Sequence, residues 1–239
     1  MGLTNSGQNN SAEDHARRVR EMFAMISPRY DLLNHLLSAN IDSRWRRRVV
    51  RKLVPLLPKD ARVLDVGCGT GDLSIELFEK TSACVTGIDF CRPMLQLAKA
   101  KGPFITFIEG DALRLPFADA SFEGLTIAFA LRNLASIEEG LAELLRVLKP
   151  DGFIAILEFS CPVVPVFRNV IGFYYRCLLP SIGQLFSGAR NAYQYLPDSI
   201  SKFPNQEMLA TMMRTAGFEE VRFENLSGGI AALHSGRRA

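Results

Sequence analysis

The stretch Val63-Leu64-Asp65-Val66-Gly67-Cys68-Gly69-Thr70-Gly71-Asp72 decides the fold of this 239-residue chain. A largely apolar strand runs into glycines at 67, 69 and 71, and a helix is predicted directly after them. Glycine lets the backbone pass close beneath a ligand, and the first turn of a helix offers free N–H groups. The stretch therefore predicts a ligand-binding turn between a strand and a helix.

Two acidic residues follow this turn at informative distances. Asp89 lies twenty residues after Gly69, at the end of the second predicted strand. A carboxylate at that place can accept hydrogen bonds from two ribose hydroxyls. Asp111 and Ala112 follow the third predicted strand, where an acid can meet an adenine amino group. Together these positions predict a nucleoside-containing ligand.

The residue at position 72 separates the kinds of nucleoside ligand. A dinucleotide fold prefers G-x-G-x-x-G, which needs glycine at 72, and Asp72 stands there instead. An acid is also poorly placed beside a pyrophosphate. The pattern suits a ligand without phosphates, such as S-adenosylmethionine, whose ammonium group Asp65 could meet. A nicotinamide-dependent oxidoreductase and a glycine turn without a ligand are the alternatives.

The remaining pattern predicts an α/β fold with a mostly parallel sheet, because short apolar runs alternate with helical stretches. The predicted strands are 62–66, 84–88, 104–109, 124–129 and 153–159. The predicted helices between them are 72–79, 93–100 and 137–148. A helix over 205–216 is followed by strands 219–225 and 229–234 around a Gly turn, which predicts an antiparallel C-terminal hairpin and seven strands in all.

The segments outside the sheet predict one domain with two additions. Residues 1–14 are polar and are predicted to be a disordered tail, and 15–239 to be a single domain. Helical spacing over 15–26, 30–37 and 42–57 predicts an N-terminal helical cap within 15–60. The stretch 161–204 is rich in Pro, Tyr and Phe and is predicted to be a lid insertion.

Composition excludes several classes of protein. Hydrophobic residues make up 48% of the chain and charged residues 22%, which is ordinary for a globular domain. The formal net charge of +3 is too small to indicate nucleic acid. Five cysteines without a C-x-x-C pair predict reduced thiols, a cytoplasmic location and no metal site. We also expect no signal peptide and no transmembrane helix.

Further segments carry a resemblance to a known family. They are Phe23-x-x-Ile26-x-x-Arg29-Tyr30-Asp31-x-x-Asn34, Leu131-Arg132-Asn133, Arg146-Val147-Leu148-Lys149-Pro150-Asp151-Gly152, Leu157-Glu158-Phe159-Ser160, Ala192-Tyr193-x-Tyr195-Leu196 and Gly228-Gly229-Ile230-Ala231-x-Leu233-His234. With these segments the chain resembles the class I S-adenosylmethionine-dependent methyltransferases. More narrowly, it is similar to the ubiquinone/menaquinone biosynthesis C-methyltransferases over roughly residues 19–236.

The resemblance implies a Rossmann-like fold and S-adenosylmethionine as methyl donor, with no metal. The implied reaction is C-methylation of a prenylated hydroquinone, with demethylmenaquinol preferred and a polyprenyl-methoxy-benzoquinol as the alternative. The predicted cofactor-binding residues are Asp65, Gly67, Gly69, Thr70, Gly71, Asp89, Asp111 and Ala112. The chain departs from the family at Ala128, where a serine is common, so any cofactor contact there must come from the backbone.

The reaction also needs a group that polarises or deprotonates a quinol hydroxyl, because only then is the neighbouring ring carbon nucleophilic. Arg132 and Asn133 follow the fourth strand, at the edge where open α/β sheets place their sites. Asp31 on the cap and Tyr195 on the lid complete the predicted catalytic set. Tyr30, His35 and Tyr193 are further options, and the base itself stays unidentified.

A basic stretch in the cap suggests a contact with a membrane. Its cations are Arg44, Arg46, Arg47, Arg48, Arg51 and Lys52, beside an apolar stripe of Trp45, Val49 and Leu53. Such a helix suits the surface of an anionic membrane, where prenylated quinols reside. A solvated basic face is the simpler interpretation, and a non-enzymatic RNA- or lipid-binding module is a rival function. We expect no nucleic acid partner, and a homodimer is left open.

Overall fold

A computed structural model of the chain describes residues 6–31, 38, 40–164 and 190–239. Seven α-helices lie in these ranges: α1 Ser6–Ile26, α2 Ile41–Leu53, α3 Asp72–Lys80, α4 Arg92–Lys101, α5 Ile137–Val147, α6 Arg190–Lys202 and α7 Gln206–Ala216. Seven strands accompany them: β1 Arg62–Val66, β2 Cys84–Asp89, β3 Thr106–Glu109, β4 Phe122–Ala128, β5 Leu148–Phe159, β6 Phe218–Leu226 and β7 Ala231–Arg238.

The strands form one sheet in the order β3-β2-β1-β4-β5-β7-β6. The first five strands are parallel, and β7 is antiparallel to both β5 and β6. The chain reverses direction along the sheet between β1 and β4, so their carboxyl ends flank a crevice, which is where open α/β sheets bind ligands. The predicted fold class is therefore confirmed, including the antiparallel C-terminal strands.

Helices cover both faces of the sheet and bury two apolar clusters. One cluster lies under α5 and α7, and the other lies under α2, α3 and α4. The apolar stripe of α2 belongs to the second cluster, since Trp45, Val49 and Leu53 are buried. These three side chains pack inside the protein, so they do not present an apolar surface to lipid as the sequence suggested.

The structure corrects two local predictions. Helix α1 begins at Ser6, so residues 6–14 are helical where the sequence predicts disorder; an established helix extends at little cost through residues such as Ala12 and Glu13. The turn predicted at 149–152 is instead a bulge inside β5, with Asp151 in the left-handed region at φ 65°. Arg238 at the end of β7 donates to the Leu148 carbonyl, which helps to keep this part of β5 in the sheet.

Two further predictions lie mainly outside the described residues. Of the helix predicted over 30–37, the structure describes only Tyr30 and Asp31, and of the lid predicted over 161–204 it describes 161–164 and 190–204. Helix α6 belongs to the second range and packs against α1. The described ends of the lid and the cap therefore meet on the same side of the sheet.

Candidate active site

The glycine turn after β1 has the backbone that its sequence predicts. Gly67, Gly69 and Gly71 all have positive φ, at 63°, 55° and 84°. A Cβ on Gly67 would lie 2.3 Å from the Cβ of Ala130, whereas one on Gly69 would meet nothing within 4 Å. Gly67 thus allows two strand ends to pack together, and Gly69 borders open space in which a ligand fits.

Asp89 is fixed at the end of β2 by backbone donors. Its Oδ2 accepts from the Gly69 N–H at 2.8 Å and its Oδ1 accepts from the Cys91 N–H at 2.8 Å. The side chain is buried, and burial raises the pKa of this carboxyl. Each carboxylate oxygen keeps a second lone-pair direction, so Asp89 can still accept hydrogen bonds from a ligand diol.

A cavity of about 300 Å³ lies along the carboxyl ends of β1, β2 and β4. Six of the predicted site residues line it: Gly67, Gly69, Asp89, Asp111, Ala112 and Asn133. Its apolar lining includes Ile88, Phe90, Met94, Leu113 and Leu134. An apolar cavity with a few acids at fixed places is typical of a site for a small ligand.

Asp65 lies behind the glycine turn rather than in the cavity. It is 1% exposed, and its two carboxylate oxygens accept from the Ser74 hydroxyl at 2.6 Å and the Thr126 hydroxyl at 2.7 Å. Thr126 is its register partner on β4, which explains the contact. Burial raises the pKa of the Asp65 carboxyl to about 6. Direct contact with a cofactor ammonium stays a prediction, since two hydroxyls already occupy this side chain.

Thr70 and Gly71 also lie beside the cavity rather than in its lining. Gly71 is the N-cap residue of α3. The Thr70 hydroxyl is buried and donates to Asp31 Oδ1 at 2.6 Å. Asp31, predicted to be catalytic, thus contacts the glycine turn across 39 positions of the chain.

Arg132 belongs to a buried ion pair. Its Nη1 lies 2.6 Å from Glu158 Oε1, with side chains 7% and 1% exposed. The same Nη1 donates to the Phe129 carbonyl at 2.6 Å. Phe129 has φ 57°, a strained value for an aromatic residue, so this contact stabilises the turn that leaves β4. Arg132 does not line the cavity described above, and substrate contact by it stays a prediction.

Asn133, which lines the cavity, forms a polar pair with Tyr195, which does not line it. The Tyr195 hydroxyl donates to Asn133 Oδ1 at 3.0 Å, and Asn133 Nδ2 donates to the Phe129 carbonyl at 3.3 Å. Burial raises the pKa of the Tyr195 phenol. A residue that follows the fourth strand and a residue of the lid therefore meet, and their catalytic roles stay predictions. His35 and the side chain of Tyr193 lie outside the described residues.

Sequence reasoning missed part of the cavity wall. Ala16 and Phe23 of α1 line it together with Tyr30, and the rings of Phe23 and Tyr30 lie 6.0 Å apart. Phe90 also lines the cavity and was missed, although it directly follows Asp89 at the end of β2. An aromatic residue at that place is a readable signal for a ring that could stack on a nucleoside base. The contribution of α1 has no local signal, because helical spacing shows an apolar face but not what it covers.

The chain is similar to proteins of a known family along nearly its whole length. A profile of the ubiE/COQ5 methyltransferase family matches residues 10–238. The chain belongs to the ubiE/COQ5 methyltransferase family. This membership does not favour the nicotinamide-dependent alternative.

Two members of the ubiE/COQ5 family show how far the similarity extends. A demethylmenaquinone methyltransferase of Thermus thermophilus is 48% identical over 222 residues, which cover 91% of this chain and 100% of that protein. A ubiquinone/menaquinone biosynthesis C-methyltransferase UbiE of Citrifermentans bemidjiense is 46% identical over 233 residues, covering 94% and 98%. The similarity therefore includes the cap, the sheet and the lid.

Solved structures confirm the fold of this ubiE/COQ5 family member. A crystal structure of an S-adenosylmethionine-dependent methyltransferase from Thermotoga maritima has a TM-score of 0.65 at 19% identity and covers 92% of this chain and 99% of that one. A Haemonchus contortus phosphoethanolamine N-methyltransferase solved with S-adenosylmethionine has a TM-score of 0.60 at 14% identity, covering 81% and 52%.

The described residues also bear on metal binding and on membrane spans. Within the described ranges, no His, Cys, Asp and Glu side chains cluster in a way that could hold a metal ion. That the protein uses no metal ion stays a prediction. The helices of those same ranges include none with the length and hydropathy of a membrane span.

Proposed function

We propose that this chain methylates a ring carbon of a prenylated hydroquinone with S-adenosylmethionine, and that demethylmenaquinol is its substrate. The observation that carries the proposal is the cavity in which the glycine turn, Asp89 and Asp111 converge, in a chain that matches a methyltransferase family over residues 10–238. The relative from Thermus thermophilus is named for demethylmenaquinone. The name of the second relative includes ubiquinone, so a benzoquinol is the second candidate.

The order of the residues around the cavity supports a placement for S-adenosylmethionine. We assign the ribose diol to Asp89, the adenine edge to Asp111 and Ala112, and the amino-acid end to the glycine turn with Thr70. Open space above Gly69 supports this assignment, as does the Asp89 carboxyl group, each of whose oxygens accepts one backbone N–H and keeps a further lone pair. Asp65 acts from behind the turn, where its ionised form favours a cationic ligand.

The reaction chiefly requires alignment and the exclusion of water. When bound, S-adenosylmethionine supplies a sulfonium methyl group that a quinol ring carbon takes in line, leaving a neutral thioether. Because charge on sulfur disappears in this step, an apolar wall favours the transition state over the reactants. Phe23, Tyr30 and Phe129 line the cavity and supply part of this wall.

The polar pair Asn133–Tyr195 is assigned to the quinol hydroxyl beside the reacting carbon. Both groups can donate and accept hydrogen bonds, so they can orient that hydroxyl while its proton leaves. The hydrogen of the methylated ring carbon then leaves as a proton and the oxygen is protonated again, so the ring regains aromaticity and one proton is released overall. Arg132 holds the Phe129 carbonyl that also binds Asn133, and it therefore positions this pair. We further propose that the lid, 161–204, receives the prenyl chain, because its sequence is apolar and aromatic.

The oxidation state of the substrate tests this mechanism. With S-adenosylmethionine labelled in its methyl group, reduced demethylmenaquinone is expected to gain the label, and the oxidised quinone to gain less than about one hundredth as much. The reason is that only the quinol has an electron-rich ring carbon. Mass analysis of both products, and of a matched demethylated benzoquinol pair, measures the difference.

Each outcome of this assay has a clear meaning. Methylation of the benzoquinol alone would replace demethylmenaquinol by the second candidate. Equal labelling of oxidised and reduced forms would contradict the mechanism. No transfer to any quinol, with a cofactor still bound, would contradict the proposed substrate class.

We also propose that α2 contacts the inner face of an anionic membrane from the cytoplasm. Arg44, Arg47 and Arg51 are exposed on this helix, whereas Arg48 pairs with Glu224 at 2.5 Å. Since the apolar stripe of α2 is buried, the contact would be electrostatic, with help from the exposed Leu56. Each Arg near an anionic surface contributes about 1 kcal/mol.

Vesicle flotation measures this contact directly. The double variant Arg47→Gln/Arg51→Gln is expected to lower binding to vesicles rich in phosphatidylglycerol by about tenfold or more. A matched control is Lys80→Gln/Lys99→Gln, which removes two exposed cations from other helices. Failure of the unmodified protein to float, or equal loss in both variants, would refute a specific role for α2.

A further inference from the structure

The cap is joined to the glycine turn by a compact group of charged side chains. We name this group the cap latch: Asp31 beside the cap's 3₁₀ turn, Thr70 in the glycine turn, Asp72 at the start of α3 and Lys101 at the end of α4. Three separate parts of the chain, at 31, 70–72 and 101, thus meet at one point. None of these side chains lines the cavity, although Thr70 directly follows Gly69, which does.

Lys101 is the centre of the cap latch. Its ammonium donates to Asp31 Oδ2 at 3.0 Å, to Thr70 Oγ1 at 3.1 Å and to Asp72 Oδ1. These three partners use all three N–H bonds of the ammonium group. Thr70 in turn donates to Asp31 Oδ1 at 2.6 Å, so Asp31, Thr70 and Lys101 form a closed ring of hydrogen bonds.

The cap latch continues toward the start of α2. Arg46 lies 3.3 Å from the second carboxylate oxygen of Asp72 and 2.6 Å from Asp42. Asp42 also accepts from the Ser38 hydroxyl at 2.5 Å. Both described ends of the cap are therefore fastened to the same carboxylate at the start of α3.

The position of the cap latch connects it to the cavity. Asp31 directly follows Tyr30, which lines the cavity and packs edge-on against Phe23. Releasing Asp31 would free this aromatic wall, and it would also remove the acceptor of the buried Thr70 hydroxyl. Cofactor affinity and cap closure would then change together.

We propose that Lys101 is a positioning residue that closes the cap over the cofactor, with Asp31 as its partner rather than as a base. This inference rests on the proposed function, because it assigns the cavity to S-adenosylmethionine. It differs from the role predicted for Asp31 from sequence, in which the carboxylate acts on the substrate. The two roles separate experimentally, since a latch affects binding whereas a base affects turnover.

The test compares Lys101→Met, Asp31→Asn and their double variant. Partly exposed ion pairs contribute modestly, so each single change is expected to weaken S-adenosylhomocysteine binding by about fivefold in calorimetry. The double variant is expected to bind no worse than the weaker single variant, because both changes open the same ring. Lys101→Arg keeps the cation and is expected to recover most of the affinity.

Kinetics and a matched control complete this comparison. Lys99→Met removes an exposed cation from the same helix and is expected to bind like the unmodified protein. The KM for S-adenosylmethionine is expected to rise with the loss of affinity, while kcat at saturating cofactor falls by less than about twofold. A collapse of kcat in Asp31→Asn with unchanged affinity would overturn the proposal, as would additive losses in the double variant.

Hydrogen–deuterium exchange tests the cap latch without any cofactor. Residues 23–31 are expected to exchange at least about threefold faster in Lys101→Met than in Lys99→Met, because the cap opens more often. Equal exchange would overturn the latch. If the unmodified protein bound no S-adenosylhomocysteine, the proposed function would fail, and the exchange result would still decide whether Lys101 holds the cap.

Discussion

Replacing Asp89 by asparagine is expected to weaken the binding of S-adenosylmethionine by about a hundredfold or more. A hydrogen bond to a charged acceptor contributes about 1.5–3 kcal/mol, and a ribose diol makes two of them. Asparagine has one acceptor oxygen and one donor NH₂ in place of two acceptors. A loss of about 3 kcal/mol corresponds to somewhat more than a hundredfold in Kd.

The surroundings of Asp89 make this loss larger than at an exposed site. Its oxygens already accept from the Gly69 and Cys91 N–H groups, both at 2.8 Å. An asparagine NH₂ would face one of these donors, so the substitution also disturbs the glycine turn. Burial of the native side chain leaves little room for the amide to rotate away.

A neighbouring carboxylate provides the matched control. Glu109 ends β3 and is the register partner of Asp89, but it is exposed and lies 3.6 Å from Arg92. Glu109→Gln changes the net charge equally and is expected to leave the Kd within about twofold. Calorimetric titration of both variants, with thermal unfolding to check that each is folded, gives the comparison. Affinity of Asp89→Asn within threefold of the unmodified protein would contradict the assigned ribose site.

The parallel part of the fold was readable because its central strands are short and largely apolar. Strand β1 was predicted at its observed bounds, Arg62–Val66, since a buried parallel strand is a continuous apolar run between turn signals. The bulge in β5 was not readable, because Gly152 after Lys149-Pro150-Asp151 has the composition of a turn. The pairing of Leu148 with Phe122 and the hydrogen bond from Arg238 to the Leu148 carbonyl keep these residues in the sheet.

The site was readable where its residues directly follow the parallel strands, and unreadable where they come from other parts of the chain. Glycines and acids that directly follow neighbouring parallel strands are expected to lie close together, because the carboxyl ends of these strands share one edge of the sheet. Lys101 meets Asp31 across 70 positions, and nothing near either residue indicates the contact. Arg132 shows a related limit. Its place after β4 suggested a contact with the substrate, which stays a prediction, whereas its ion pair with Glu158 on the adjacent strand could not be read from the sequence.

Breaking the Arg132–Glu158 pair gives the second large effect, this time on stability. Arg132→Met is expected to lower the free energy of unfolding by about 3–5 kcal/mol, because removing one partner leaves an uncompensated buried charge. Glu158 keeps only two backbone donors, the N–H groups of Phe159 at 2.8 Å and of residue 132 at 3.3 Å. The substitution also removes a donor from the strained Phe129 carbonyl.

The double variant Arg132→Met/Glu158→Gln distinguishes a buried ion pair from a substrate contact. With both charges gone, the desolvation penalty of the carboxylate disappears, so the double variant is expected to unfold at a higher denaturant concentration than Arg132→Met alone. Arg222→Met, at an exposed position on β6, is the control and is expected to change stability by less than about 0.5 kcal/mol. Chemical denaturation measures all three variants.

If Arg132→Met unfolded like the control while losing turnover, Arg132 would act on the substrate and not through the turn. Since Arg132 and Asn133 share the Phe129 carbonyl, a structural role instead predicts that Arg132→Met loses activity together with the order of the Asn133–Tyr195 pair.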